Sequence, residues 1–198
     1  MGMTLDRLAR EVEALLMASD RPLSMERLCE LTGAGLEAVE QAVSRVEDAL
    51  ASGGHAMEIA YLAGGYRLVT DPALGTVVSR LFEGRRPGKL TRAALETLAV
   101  VAYSQPCTRA HVEAVRGVNC DSAMKTLLER DFMAISGRME TPGRPLLYST
   151  TQAFLEYFGL ARLEHLPRLD EIGNLLALGA DDLEKAALDL SKDGEDDH

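Results

Sequence analysis

Residues 90–148 constrain the fold more than any other stretch, because they read as helix, helix, short turn, helix and then a hairpin. The segment opens LTRAALETLAVVAYSQPCTRAHVEAVRGVNCDSAMKTLLERDF and closes GRPLLYST. Thr91 stands where an N-cap hydroxyl can accept from a first-turn amide. Leu95, Leu98, Ala99 and Ala102 then recur at helical spacing and mark the expected buried face. Pro106, lacking an N–H, ends that helix. Thr108 is the expected cap of the next, with Val112 and Val115 inward, and Gly117 supplies a left-handed residue at the break. Asn119 is expected to cap a third helix whose Ala123, Met124, Leu127 and Leu128 share one face. A strand over 132–136, a polar loop over 137–143 and a return strand over 145–149 turn this helix-turn-helix into a winged helix. Pro145 suits an entering or edge position, where no amide is needed. Thr150 or Thr151 then caps a last helix with Phe154, Tyr157 and Phe158 on one face and Gly159 at its end.

The first half repeats this architecture without repeating the sequence. Leu5, Leu8, Val12, Leu15 and Leu16 mark one helical face, with Thr4 as the expected cap. Ser24 caps a short second helix, and Val39, Ala42, Val43, Val46 and Leu50 mark a third. Met57, Ile59 and Tyr61 alternate as a half-buried strand does, and Gly64-Gly65 fits the positive φ values of a tight hairpin turn. After the return strand, Asp71 followed by Pro72 starts a helix, with Leu74, Val77, Val78, Leu81 and Phe82 expected inward.

The fold class is therefore mainly α with small β-hairpins: two tandem winged-helix domains plus an acidic C-terminal tail. The expected division is a first winged helix over 1–84, a linker over 85–89, a second winged helix over 90–159 and an extension over 160–198. The stretch EGRRPGK at 83–89 has two glycines, a proline and no apolar residue, which marks the boundary. Short helices are expected near 169–178 and 180–190, and the end SKDGEDDH is expected to be disordered and, with residues 184–190, dispensable for assembly. Cores of Leu, Val, Ala and Met follow from 46% hydrophobic residues with only 5% aromatics and no Trp. No apolar run reaches bilayer length, and no export signal is evident. Three widely spaced cysteines make a disulfide framework a poor reading and favour the reducing cytoplasm.

Net charge is −10, unevenly placed. Residues 90–158 hold 7 Lys+Arg against 7 Asp+Glu, while residues 159–198 hold 4 against 11. Neither winged helix is basic by composition, which bears on nucleic-acid binding because phosphate neutralisation supplies most non-specific affinity. The third helix of the second half would expose Asp121, Lys125, Thr126 and Glu129, where carboxylates oppose the phosphate term. Cys107 and His111 lie four apart, but no third group orients the histidine, so a core-edge thiol is the better reading. His55, His111, His165 and His198 lie on different segments without metal-ligand spacing. No GxxxxGK[ST] loop occurs, and no cofactor is expected.

The segments LTRAALETLAVVAY, QPCTRA, VRGVN, LLERDF, PGRPLLYSTT and FLEYFGL resemble the segregation and condensation protein B family of bacteria. The resemblance spans roughly 5–167 and is densest from 90 to 160. Cys107 and Phe132 stand where that family more often has an aliphatic residue, and His111 where it often has an acid. The resemblance implies a non-enzymatic accessory subunit of the bacterial condensin complex, cytoplasmic and associated with the nucleoid, acting in chromosome condensation and segregation during cell division. It implies a homodimer, joined mainly through the N-terminal halves, that binds the kleisin and through it the SMC ATPase, with chromosomal DNA reached indirectly. The expected partner-binding residues, on the second winged helix, are Arg92, Tyr103, Arg109, Arg116, Arg144 and Tyr148, because arginine and tyrosine combine apolar area with directed hydrogen bonds. The alternative is a winged-helix DNA-binding transcription regulator. A hydrolase is a distant third, since no catalytic constellation is present.

Overall fold

Asp6 caps the first helix, its carboxylate accepting from the Ala9 amide at 2.8 Å. The expected cap, Thr4, lies outside the described residues, which are 5–82 and 89–168 of a computed structural model. Helices α1 (Arg7–Ala18), α2 (Met25–Thr32) and α3 (Leu36–Ser52) follow. Ser24 caps α2 through the Arg27 amide. Val12, Leu16, Leu28, Val39, Val43, Val46 and Leu50 form one buried cluster, so the helical spacing of this half identified its core.

The hairpin β1 (Met57–Leu62) and β2 (Gly65–Thr70) pairs Leu62 with Gly65. The turn is therefore Ala63-Gly64, with φ of 52° and 76°, not Gly64-Gly65. Gly65 has another task. A β-carbon there would lie 2.7 Å from the Leu23 backbone. That close approach forms a two-way bridge, with Leu23 N–H donating to Tyr66 O and Tyr66 N–H to Leu23 O, both at 2.9 Å. Met57 and Tyr61 are exposed, contrary to the expected alternation, and Ile59 alone of the three packs against the core.

Asp71 caps a 3-10 turn, Pro72–Leu74, which leads into α4 (Gly75–Leu81). Here the expectation fails. Leu74, Val77, Leu81 and Phe82 are exposed, Leu81 at 71%, and only Val78 of that stripe is half-buried. The stripe is real, but among the described residues nothing covers it.

The second winged helix comprises α5 (Arg92–Ser104), β3 (Cys107–Thr108), α6 (Arg109–Arg116), α7 (Asp121–Glu129), β4 (Met133–Arg138), β5 (Leu146–Thr150) and α8 (Gln152–Phe158). Thr91, Thr108 and Thr151 cap α5, α6 and α8. Gln105–Pro106, a cis peptide, separates α5 from β3. The strand order β3-β5-β4, all antiparallel, includes a third strand that two residues between a proline and a helix did not announce. It matches the single Leu23 bridge of the first half, so in both halves the segment just before the second helix pairs with the wing.

Several burial expectations are corrected here. α5 buries Ala94, Thr97, Leu98, Val101 and Ala102, leaving Leu95 and Ala99 exposed, because apolar residues on two sides of this helix make its phase ambiguous. Val115 and Leu128 are exposed, while Val112, Met124 and Leu127 are buried. Of the α8 aromatics only Phe154 is buried; Tyr157 stays exposed with its ring edge-on to Phe132 at 4.8 Å. The cap position of α7 is Cys120, but the Asn119 side chain still accepts from the Asp121 amide at 3.0 Å. Cys107 and Phe132 are both buried, consistent with core variation. The expected linker, apart from Lys89, and the helices and acidic end beyond 168 lie outside the described residues.

Candidate partner-binding site

The second winged helix folds its six expected partner residues into different situations. Arg116 leaves the last turn of α6 and turns back onto α5. Its guanidinium donates to Ala93 O at 2.9 Å, to Thr97 Oγ1 at 2.7 Å and to Glu96 Oε2 at 2.7 Å. The side chain is 14% exposed, and Thr97 is fully buried beneath it. Arg116 thus joins α5 to α6, a bracing role. Arg92 reaches the same carboxylate from the other side at 2.8 Å and is almost fully exposed. Glu96 is thereby held below the usual carboxylate range, first by the Arg92 hydrogen bond and then by the charges of Arg116 and Arg92, against some desolvation.

Arg109, at the start of α6, donates to Glu113 at 3.0 Å and to Asp121 on α7 at 2.8 Å. The Glu113 hydrogen bond comes first among the causes that raise its already high pKa. Glu113 also accepts from the Cys120 amide, so one carboxylate fastens the α6–α7 turn. Beside this cluster lies a shallow groove of 340 Å³, lined by Arg109, Ala110, Glu113, Pro145, Leu146 and Tyr148. Tyr148 forms the floor. It is 9% exposed and sits in the middle strand, paired across to Cys107 and Ile135. Fold therefore brings Arg109 and Tyr148 together and keeps Arg92 and Arg116 at a separate α5–α6 junction.

Arg144 lies in the wing loop with φ of 39°; its N–H donates to Thr141 O and its carbonyl accepts from Arg138. Tyr103 is part-exposed near the end of α5. The other groove residues, Ala110, Glu113, Pro145 and Leu146, carried no sequence signal for binding; Pro145 marked only the entry of the return strand. Only the pairing of β3 with β5, which sets the start of α6 beside the start of β5, creates the groove.

The chemistry weighed for Cys107 finds no support. Burial pushes that thiol up, away from the thiolate a nucleophile needs. Among the described residues no cluster of three His, Cys, Asp or Glu side chains has metal-binding geometry, and no helix is long and apolar enough to cross a membrane.

Residues 10–169 match the family model described as segregation and condensation complex subunit ScpB. The chain is 43% identical over 159 residues to segregation and condensation protein B of Symbiobacterium thermophilum, covering 80% of this chain and 72% of that protein. It is 39% identical over 170 residues to the protein of the same name from Myxococcus xanthus, covering 86% of this chain and 51% of that longer one. Among solved structures it is similar to ScpB from Mycobacterium tuberculosis, with 38% identity, 81% of this chain and 99% of that chain covered, and a TM-score of 0.38.

Proposed function

This chain belongs to the family of segregation and condensation complex subunit ScpB, and we propose that it serves there as a non-enzymatic accessory subunit that binds the kleisin as a homodimer. In this reading the kleisin links it to the SMC ATPase, and chromosomal DNA is reached through those partners. The complex then acts in chromosome condensation and segregation during cell division, at the nucleoid.

The division of the surface carries the reading. The α6–α7 face, which a DNA-binding winged helix would lay against phosphates, spends Arg109 on Glu113 and Asp121, and Lys125 lies 3.8 Å from Glu129. Phosphate binding would have to break those pairs first, which weighs against the DNA-binding regulator. Apolar surface is left open at the Pro145–Leu146 groove beside Tyr148 on the second winged helix and, among other places, at the α4 stripe on the first. The groove suits a kleisin segment, with Arg109 at its rim; the stripe suits a second copy of the chain. Arg92, Tyr103 and Arg144 belong to the same proposal as outlying contacts, while Arg116 and Tyr148 act through packing.

The test is a titration of folded alanine variants with the middle segment of the kleisin. Leu146→Ala and Arg109→Ala are expected to lose about 2 kcal/mol or more of binding, as hot-spot residues do, with thermal melts near that of the unsubstituted chain. Normal binding by both would reject the groove. A promoter-specific gel shift by the purified protein would favour the regulator instead.

A further inference from the structure

The turn between β1 and β2 has positive φ at both of its residues, as a two-residue hairpin loop requires, yet one of the two is not a glycine. Ala63 holds φ of 52°, where a residue with a β-carbon costs about 1–2 kcal/mol relative to the right-handed region. The groups that hold it come from the second winged helix. Ala63 N–H donates to Leu160 O at 2.7 Å, and Gly64 N–H donates to Ala161 O at 2.9 Å. The Gln152 side-chain amide donates to Ala63 O. Next to the turn, Arg67 of β2 pairs with Glu156 of α8 at 3.3 Å, in a setting where the side chains are only 34% and 24% exposed. Ala63 and Ala161, one on each side of the contact, are both buried.

The receiving side is itself fixed. α8 ends at Gly159, whose φ of 66° is left-handed, and Leu160 N–H returns to Leu155 O at 2.9 Å. That is the Schellman arrangement, which turns the chain sharply at a helix end. It places the Leu160 and Ala161 carbonyls at a set position relative to Gln152 and Glu156 of the same helix. The wing turn is thus gripped by four groups on one short structural unit, two through its backbone amides, one through a backbone carbonyl and one through a neighbouring side chain.

We propose that the β1–β2 turn is a latch that docks the first winged helix onto the end of α8, so that the two domains move as one body. A turn held in this way is closed to outside partners, and losing the α8 contacts releases both domains to tumble separately. The inference does not depend on which partner the chain binds.

Nitrogen-15 relaxation on the full chain reads a rotational correlation time for each winged helix. The unsubstituted protein is expected to give one shared value. Arg67→Glu combined with Gln152→Ala is expected to split it into two, with unchanged circular dichroism because neither side chain belongs to a core. The exchange Arg67→Glu with Glu156→Arg keeps the attraction and is expected to return one shared value. Two separate values in the unsubstituted chain, or a shared value that survives Arg67→Glu with Gln152→Ala, would overturn the latch.

Discussion

Arg109 and Arg116 stand on one helix two turns apart and do different things, and accessible partners decide which. Arg116 covers the buried Thr97 hydroxyl and holds the Ala93 carbonyl. Arg116→Ala is expected to lower stability by about 1–3 kcal/mol, since it takes the guanidinium from the buried Thr97 hydroxyl; a urea denaturation curve reads the change. Arg92→Ala removes only an exposed i,i+4 pair and is expected to stay within about 0.5 kcal/mol. The shared carboxylate gives a pH signature. The pKa of Glu96 is depressed in the folded chain, so its contribution is complete above the ordinary carboxylate range and is lost as pH falls through the lowered folded value. The melting temperature of the unsubstituted chain is therefore expected to exceed that of Glu96→Gln near neutrality, with the gap closing in acid. A constant gap down to the lowest accessible pH would show that Glu96 acts by packing alone.

At the scale of elements, each wing needs its sheet to meet a segment that precedes a helix. In the first half this is the Leu23–Tyr66 bridge, and Gly65 is what lets it form. Gly65→Ala would set a β-carbon 2.7 Å from the Leu23 carbonyl carbon. Backbone cannot move aside as a flexible side chain can, so the substitution is expected to cost about 1–3 kcal/mol, the range for overpacking. Thermal melting reads it, and an unchanged melt would show that the bridge contributes little. In the second half the corresponding strand, β3, brings α6 against β5 and forms the groove. The same helix-turn-helix plan thus serves twice, with the polar α6–α7 turn tied down by Glu113 and Asp121.

For the whole molecule, the α4 stripe is the largest conflict between pattern and placement. Val77 at 58% and Leu81 at 71% exposure are left open by the described residues. If this face joins two copies, Val77→Glu with Leu81→Glu is expected to convert a dimer into a monomer in multi-angle light scattering at micromolar concentration, with no loss of helical circular dichroism. A dimer that persists would move the interface elsewhere on the chain. The design of the test follows from exposure: residues already in water cost the monomer little when made charged.

Periodicity, caps and punctuation determined the helices and the two hairpins by themselves, though not β3. Thr91, Thr108, Ser24 and the left-handed Gly117 and Gly159 act locally, through amides and carbonyls within a turn of themselves, so their effects were legible in the sequence. The paired winged helices followed from those elements in order, and the family likeness from the segments between Leu90 and Leu160. Tertiary structure alone decided which apolar face meets a core. An apolar stripe states that a surface must leave water, not what covers it, and so α4, Leu95, Val115 and the α8 aromatics were read inward. It also decided which arginines are braces and which stand at a rim, because their partners on α5 and α7 are far along the chain. The turn at Ala63 belongs to the same class: its Ala63 and Gly64 N–H groups donate to the Leu160 and Ala161 carbonyls and Ala63 O accepts from Gln152, partners that no local pattern around Ala63 contains.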